Sequence, residues 1–270
     1  MAKVSPEAKR RYGEKIKEYK SKVDQLLQHE KSLLQIIEND EKGQGYKRLS
    51  LANESLNLVS FYLLMDHLSV SLLGIKNEGF LNNARKTCYK SIIYLEDVVS
   101  NLIDAPFSDY EKYLESIQDF TYQQRWDLLR KLGFSIEMLM YSYGSNSKWK
   151  WSFVELEGRF ATVSKNLLNL KEVLSRLDPR FEGYEVYIDH INMVKTLLQN
   201  SANSYRQKYE LSTSRIEDFK LAIRYLSALR RLHILLGESG ESDVIKKKID
   251  IWKSKMEADS KNREQAKKLK

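Results

Sequence analysis

The stretch WKWSFVELEGRFATVSKNLL, residues 149–168, decides the fold class of this chain. Its first residues alternate aromatic and polar side chains, which is typical of a strand because successive strand side chains point to opposite faces. On a helical wheel of about 100° per residue, however, one apolar stripe continues from Trp149 over many turns. The members of the stripe are Phe153, Leu156, Phe160, Val163, Leu167 and Leu174. The longer pattern predicts a helix that begins near Trp149.

Trp151 falls on the opposite side of this predicted helix, near Gly158 and Ala161. A glycine inside a helix costs roughly 1 kcal/mol relative to alanine. Gly158 therefore indicates that a neighbouring helix packs closely at this point. Trp151 is then either buried by that neighbour or, beside Lys148 and Lys150, a partly exposed anchor for a partner.

The composition extends the helical prediction to the whole chain, because only 3 Pro and 11 Gly occur in 270 residues. Helix starts are predicted near residues 6, 47, 78, 108, 149, 183, 214 and 243, with a break near residues 120–121. The start at Ser214 rests on the capping-box spacing of Ser214 and Glu217. The predicted fold class is all-α, a bundle of about seven or eight long amphipathic helices. The spacing of the starts also hints at a degenerate duplication of a three-helix unit.

We predict a single all-helical domain over residues 1–257, with a sub-division near residues 104–108. That sub-division coincides with Asp104, Ala105 and Pro106, and a proline biases the residue before it away from helix. Residues 258–270 contain almost no apolar side chain to bury. They are predicted to form a basic, frayed or disordered tail.

The formal net charge of +8 is concentrated at the two ends of the chain. Residues 1–22 carry a net charge of +5 and residues 246–270 carry +6, so the body between them sums to −3. Nucleic-acid association through the basic termini is therefore kept only as a further alternative for the function of the protein. The body offers no recognisable nucleic-acid-binding motif, and we do not expect nucleic acid as the partner.

Cysteine usage and hydropathy predict a cytoplasmic protein. Cys88 is the single cysteine, and the first twenty residues lack the apolar stretch of a secretory signal. The strongest apolar run, residues 58–74, is interrupted by Asp66 and His67 and is too short to span a bilayer comfortably. We interpret it as a buried core helix and do not expect an integral membrane protein.

The sequence carries no recognised catalytic, cofactor-binding or metal-binding motif. A di-iron helical bundle needs Glu-x-x-His pairs, but the residues three positions before the four histidines are Leu26, Leu64, Tyr187 and Arg230. Glycine-rich phosphate-binding and dinucleotide-binding loops are also missing. We therefore predict no cofactor, no metal and no catalytic residue.

One set of polar residues falls on predicted buried helix faces. Asp66 and His67 sit on or beside the apolar stripe of the second helix, with Glu54, Arg85 and Glu96 as candidate partners on the same or the adjoining helix. Buried polar groups are normally satisfied by hydrogen bonds, which favours a structural network. The alternative is a pocket in which these five residues bind a ligand or carry out acid and base chemistry.

Two further groups lie near the C-terminus. Arg230 and His233 either interact favourably with the end of their helix or form an anion site. Trp252 belongs to a narrow seam of coiled-coil type. The seam consists of Ile245, Ile249, Trp252 and Met256. It either docks on the body of the protein, which we favour, or pairs with a second copy, or lies on an anionic membrane.

These patterns favour a non-catalytic cytoplasmic interaction module, a scaffold or adaptor, with a protein partner. The 16 tyrosines support this hypothesis, because tyrosine and tryptophan are enriched at interfaces. The partner-binding candidates are Trp149, Trp151, Arg230 and Trp252. A second copy of the chain is one option for the partner. The alternative function is a small-molecule-binding or enzymatic bundle built around the buried polar residues.

Overall fold

The structure is a computed structural model that describes residues 4–39, 42–144 and 147–268. These residues contain ten α-helices and no strand. The helices are α1 (Pro6–Asn39), α2 (Gln44–Leu73), α3 (Glu78–Val98), α4 (Phe107–Glu115), α5 (Tyr122–Tyr143), α6 (Lys150–Asn166), α7 (Leu170–Ser175), α8 (Tyr184–Lys208), α9 (Ile216–Leu235) and α10 (Ser239–Lys268). The predicted all-α fold is confirmed, with ten helices among the described residues where about seven or eight were predicted.

The chain divides into two compact units. Unit 1 comprises Met1–Ser100 and Glu111–Lys150, and unit 2 comprises Asn101–Tyr110 and Trp151–Lys270. The sub-division predicted near 104–108 falls inside the short segment that belongs to unit 2. A single domain over residues 1–257 and the duplication of a three-helix unit both stay predictions.

Unit 1 is built on an antiparallel hairpin of α1 and α2. The buried residues of α1 are Ile16, Val23, Glu30 and Ile37, so they recur every seven residues and form one seam. Gly43, with φ 64°, supplies the left-handed conformation that starts α2 directly after the turn. The hairpin places the α1 residue Tyr19 next to Phe61 of α2, with ring centroids 6.1 Å apart.

Helix α2 is the centre of unit 1 because it packs on α1, α3 and α5. Most of its circumference is apolar, as the sequence indicated. Its C-terminus is closed by Gly74 at φ 66°, and Asn77 caps the N-terminus of α3 by accepting a hydrogen bond from the Phe80 N–H at 3.1 Å. The turn between α2 and α3 is therefore fixed at both ends.

Unit 2 packs α8 against α9 and α9 against α10, with α6 close to α8 and α9. A Cβ added at Gly158 of α6 would lie 2.7 Å from atoms of both Tyr205 and Tyr225. These two rings, from α8 and α9, stack with centroids 5.5 Å apart. The close helix packing predicted at Gly158 is confirmed.

The helix predicted to begin near Trp149 is present, since α6 begins at Lys150. Two local predictions are corrected by the structure. The stripe was predicted to continue on one helix to Leu174, but α6 ends at Asn166, and Asn169 accepts a hydrogen bond from the Glu172 N–H and starts α7.

Ser214 does not form a capping box. It adopts φ 51°, in the left-handed region, and follows the π-helical turn Tyr209–Thr213. The N-cap residue of α9 is Arg215, which makes no side-chain capping hydrogen bond. The Thr213 hydroxyl lies just before it, donating to Asp218 at 2.5 Å and accepting from the Arg215 N–H at 3.2 Å.

Helix α10 docks on the body of unit 2, which was the favoured prediction for its seam. The side chains of Ile245, Ile249 and Trp252 are all buried. The helix continues to Lys268, whereas the sequence predicts a frayed or disordered tail from residue 258; residues 269–270 lie outside the described part. Polar contacts hold the extension, since Tyr209 donates to Asp259 at 2.8 Å and Arg263 donates to the Ser214 carbonyl.

Candidate functional site

Unit 1 contains a largely apolar groove of about 640 Å³. We call it the α2–α5 groove, after the helices that supply its floor and one wall; α1 supplies Tyr19 to the other wall. The lining residues are Tyr19, Leu64, Asp66, His67, Leu68, Val70, Ser71, Lys76, Tyr141 and Ser142. Each of these residues belongs to unit 1.

Large apolar side chains of this groove are open to solvent. Leu64 is 46% exposed, Val70 is 45% exposed and Tyr141 is 77% exposed. Phe134, two turns before Tyr141 on α5, is 63% exposed and extends the same helix face. Single exposed apolar residues are ordinary, but several along one groove mark a candidate interaction surface.

Two polar residues, Asp66 and His67, line this groove. Asp66 is 1% exposed and accepts a hydrogen bond from the Asn77 N–H at 2.6 Å, which ties α2 to the start of α3. Burial raises the pKa of Asp66, while the bond from Asn77 acts in the opposite direction. His67 is exposed, with its Nε2 3.5 Å from the Ser142 hydroxyl of α5.

Arg85 contacts Trp149, which is half-buried. The guanidinium carbon lies 3.9 Å from the centre of the indole ring, a close cation–π contact. Burial raises the pKa of Tyr143, and Arg85 opposes this rise by its charge and a hydrogen bond; Asp66 reinforces the rise. Asp66, His67 and Arg85 therefore all lie near the C-terminal end of α5. Beside Trp149 there is only a small recess of about 280 Å³.

Glu54 and Glu96 do not join this neighbourhood. Glu54 is twelve residues from Asp66 along α2, or about 18 Å at the rise of an α-helix, and Glu96 is about 16 Å from Arg85 along α3. Glu54 instead pairs with His29 of α1, at 2.8 Å. The five residues predicted as one buried polar cluster are thus divided among separate structural contacts, since periodicity specifies a face but not a position along the partner helix.

The remaining predicted partner-binding residues lie in unit 2. Trp151 is half-buried on α6. Trp252 is 3% exposed and packs against Phe219 with ring centroids 6.0 Å apart, so the structure corrects its listing as a partner-binding candidate. Its buried ring also lies 5.0 Å from the guanidinium carbon of Arg206.

Arg230 is half-buried on α9, one turn before His233. His233 is buried and pairs with Glu238, which also accepts hydrogen bonds from Lys195 at 2.7 and 2.8 Å. Burial alone would raise the pKa of Glu238, but the bonds from Lys195 and His233 outweigh it and lower that pKa. This network closes the turn between α9 and α10, and the anion-site alternative for Arg230 stays a prediction.

Unit 2 contains a second concave surface, a cleft of about 680 Å³ that sequence reasoning missed. The unit 2 cleft is lined by the segment 101–109 and by residues of α6, α8 and α9. Several of its charged groups are paired: Arg224 of the lining and the nearby Arg231 each approach Asp104 at 3.4 Å, and Lys208 approaches Asp218 at 3.1 Å.

Lys165 braces the segment 101–110 from within unit 2. Its ammonium donates to the carbonyls of Ala105 at 2.8 Å and Ile103 at 3.2 Å, and to the Asn166 side chain at 3.0 Å. Burial, together with the charge of Arg231, lowers the pKa of Lys165 to about 8, while the charge of Asp104 opposes the shift. Lys165 lies on the second predicted face of α6, with Gly158 and Ala161, and a lysine on that closely packed face was the sequence signal that could have indicated this role.

The described residues can also be compared with two other kinds of site, a metal centre and a membrane-spanning helix. No group of three or more His, Cys, Asp or Glu able to hold a metal ion occurs among the described residues. Helix α2 is long and apolar enough to cross a membrane by length and composition, but the core helix of a soluble protein passes the same test. In unit 1, α2 packs against three other helices.

The fold and the groove define an all-α protein with an exposed apolar surface on one unit and a cleft that contains paired charged residues on the other. In a comparison with protein-family models, residues 8–260 match the TP0443 family. The chain therefore belongs to the TP0443 family. No curated protein and no solved structure matches it.

Proposed function

We propose that this protein is a non-catalytic, cytoplasmic helical interaction module whose α2–α5 groove binds a helix of a partner protein. The observation that carries the proposal is the row of open apolar side chains along one groove: Leu64, Val70, Tyr141 and the adjoining Phe134. Burying these side chains in an interface would remove apolar area from water, at about 25 cal/mol per Å².

The shape of the groove suits a helix better than an extended peptide. Its floor is the surface of α2 and its walls are α1 and α5, so no unpaired strand edge is available for added main-chain hydrogen bonds. A partner helix can lay an apolar face into such a groove through side chains spaced three, four and seven residues apart. Tyr141 supplies a large amphipathic ring of the kind that is enriched at interfaces.

The polar residues of the groove have structural contacts that fit a binding role. Asp66 fixes the turn before α3 through the Asn77 N–H, and the His67 ring meets Ser142. These contacts hold α2, α3 and α5 in one arrangement. A rigid groove reduces the entropy that binding costs, because its lining need not be ordered by the partner.

Site-specific photo-crosslinking in cells tests the proposal. Tyr141 is replaced by a photoreactive phenylalanine analogue, and crosslinked proteins are identified by mass spectrometry with the site of attachment. We expect one partner to recur, attached within an amphipathic helical segment. The same analogue at Ile251 of α10, which is 68% exposed but lies in unit 2, is the matched control.

The proposal also predicts which variant removes the crosslink. Leu64→Ser in the Tyr141 analogue chain should abolish attachment to that partner while leaving the amount of folded protein unchanged. Attachment that is equal at positions 141 and 251, or that survives Leu64→Ser, would show that the groove is not the binding surface.

A second candidate function is small-molecule binding in the unit 2 cleft. Its volume of about 680 Å³ lies in the range of metabolite sites, and its lining includes Thr162, Tyr205 and Tyr225 as well as charged residues. Native mass spectrometry of the purified chain tests this function. A bound small molecule that is lost in Thr162→Val, but not in the exposed variant Thr196→Val of α8, would favour it.

A further inference from the structure

The α1 wall of the α2–α5 groove is basic. Tyr19 lines the groove, and Lys15 and Lys22, four residues before and three residues after it, share its face of the helix. The side chain of Lys15 is 57% exposed, and Lys22 is exposed as well. Lys76 lines another part of the groove. The apolar floor is therefore accompanied by cationic side chains.

The surrounding part of α1 adds to this positive charge. Residues 6–22 contain seven lysines and arginines and three glutamates, a net charge of +4. Two of the glutamates pair within the helix: Glu7 with Arg11 at 2.9 Å and Glu18 with Lys15 at 2.9 Å. Exposed pairs of this type are weak, about 0.2–1 kcal/mol, so these cations can exchange their partners for those of another protein.

We infer that the helix recognised by the α2–α5 groove is an acidic amphipathic helix, with an apolar face on α2 and carboxylates toward α1. This inference rests on the proposed function, because it assigns the chemistry of the partner to that groove. Opposite charges across an interface steer encounter and fix orientation, so the carboxylates would also set the direction of the bound helix. The open apolar floor distinguishes this surface from a site for nucleic acid, which the cations alone would fit.

A pair of matched peptides tests the chemistry directly. Both peptides carry the same leucine face at helical spacing; the polar face consists of glutamates in one and of lysines in the other. Fluorescence anisotropy measures the affinity of each labelled peptide for the full chain, at low and at high salt. We expect the acidic peptide to bind about tenfold more tightly, as a few exposed charge pairs provide, and to lose this advantage at high salt.

Charge reversal on the α1 wall supplies the second measurement. In Lys15→Glu/Lys22→Glu the preference should invert, with the acidic peptide weakened about tenfold and the basic peptide strengthened. The control is Lys246→Glu/Lys247→Glu on α10, which reverses two exposed lysines of unit 2 and should leave both affinities unchanged. Circular dichroism verifies that each variant keeps its helix content.

The groove variant Leu64→Ser/Tyr141→Ser separates this inference from the proposed function. If both peptides bind equally well and both are lost in this variant, the groove function stands and the acidic preference is wrong. If binding survives the variant, or neither peptide binds, the groove function and the inference both fail. A dimer of the chain that Tyr141→Ser dissociates, detected by light scattering, would identify a second copy as the occupant and overturn both.

Discussion

The α2–α5 groove of unit 1 and the cleft of unit 2 have similar volumes, about 640 and 680 Å³, but charged side chains are more numerous in the lining of the cleft. The groove exposes Leu64, Val70 and Tyr141 to water. The cleft is lined by charged side chains, of which Asp104 and Asp218 already accept from basic partners within unit 2. The charged side chains of the cleft thus have ion-pair partners within unit 2, whereas the apolar side chains of the groove remain exposed to water.

This difference separates a structural explanation from a functional one. The ion pairs of the cleft, together with Lys165, hold the segment 101–110 in unit 2, so folding alone accounts for them. Folding does not account for open apolar side chains, since exposing Leu64 or Tyr141 contributes little to the stability of the chain. The α2–α5 groove, whose apolar side chains stay exposed, is therefore the better candidate for binding a partner.

The largest expected effect concerns Trp252 of unit 2, which the sequence offered as a partner-binding candidate. Trp252→Ala should lower the free energy of unfolding by about 3–5 kcal/mol, because the ring is buried against Phe219 and its removal leaves a cavity. Guanidinium unfolding followed by circular dichroism measures the loss. The adjacent exposed residue provides the control: Ile251→Ser should change stability by no more than about 0.5 kcal/mol.

A small effect of Trp252→Ala on the free energy of unfolding would contradict the structural role of this residue in unit 2. It would mean that the outer helix of unit 2 contributes little to its core, and Trp252 would return as a partner-binding candidate. Tyr141→Ala in unit 1 is then the appropriate reference, since its ring is 77% exposed.

The sequence predicted those features that depend on periodicity within one helix. The stripe from Phe153 to Leu167 is buried as expected, and Gly158 indicated the close approach that Tyr205 and Tyr225 make. The break near residues 120–121 is also present, because Thr121 and Gln124 form a capping box at the start of α5. In each case the signal and the structural feature lie within a few turns of one helix.

Features that depend on how two helices are aligned were not predictable in this way. Helix α2 is apolar on most of its circumference, so its sequence does not reveal that Leu64 and Val70 stay open while Leu63 and Val59 are buried. The predicted polar cluster failed for the same reason, as Glu54 pairs with His29 across the α1–α2 hairpin. Only the position of α1 and α5 on α2 decides which apolar residues form a groove.

A second test compares two glycines: Gly158, which is tightly packed within unit 2, and Gly13, which lies on an open part of α1 in unit 1. Gly158→Ala should destabilise by about 1–3 kcal/mol, since a Cβ there would lie 2.7 Å from both Tyr205 and Tyr225 and force them apart. Gly13→Ala in α1 should stabilise by about 0.5–1 kcal/mol, because a Cβ there meets nothing within 4 Å and alanine is the better helix former. Chemical unfolding of both variants measures the contrast; the same sign for both would contradict it.

The third test uses the pH dependence of the brace in the unit 2 cleft. Burial lowers the pKa of Lys165 to about 8, well below its value of 10.5 in an unfolded chain. Between these values the unfolded state binds more protons than the folded state, so the free energy of unfolding rises with pH, by at most about 1.4 kcal/mol per pH unit. Below pH 8 the cost of burying the charged ammonium is fully present.

The measurement compares wild type with Lys165→Met by urea unfolding at a series of pH values from about 8 to about 9.5, within the window that the linkage relation defines. The difference between the two curves isolates Lys165 from groups such as Tyr110, whose pKa burial raises. We expect wild type to gain stability relative to the variant across this series. A flat or falling difference would show that the ammonium is solvated and that the cleft is more open than its ion pairs indicate.

The smallest expected effect on stability belongs to the groove of unit 1. A variant that loses binding but keeps its stability would show that these side chains act in binding and not in folding. Leu64→Ser/Tyr141→Ser replaces two open side chains, so the free energy of unfolding should change by no more than about 0.5 kcal/mol per site. The same variant should remove both peptide affinities, because those depend on the apolar floor. Urea unfolding and anisotropy on the same preparation measure both quantities. A loss of several kcal/mol would instead mean that these side chains stabilise unit 1 itself, and the contrast between an unsatisfied groove and a self-paired cleft would no longer identify the binding surface.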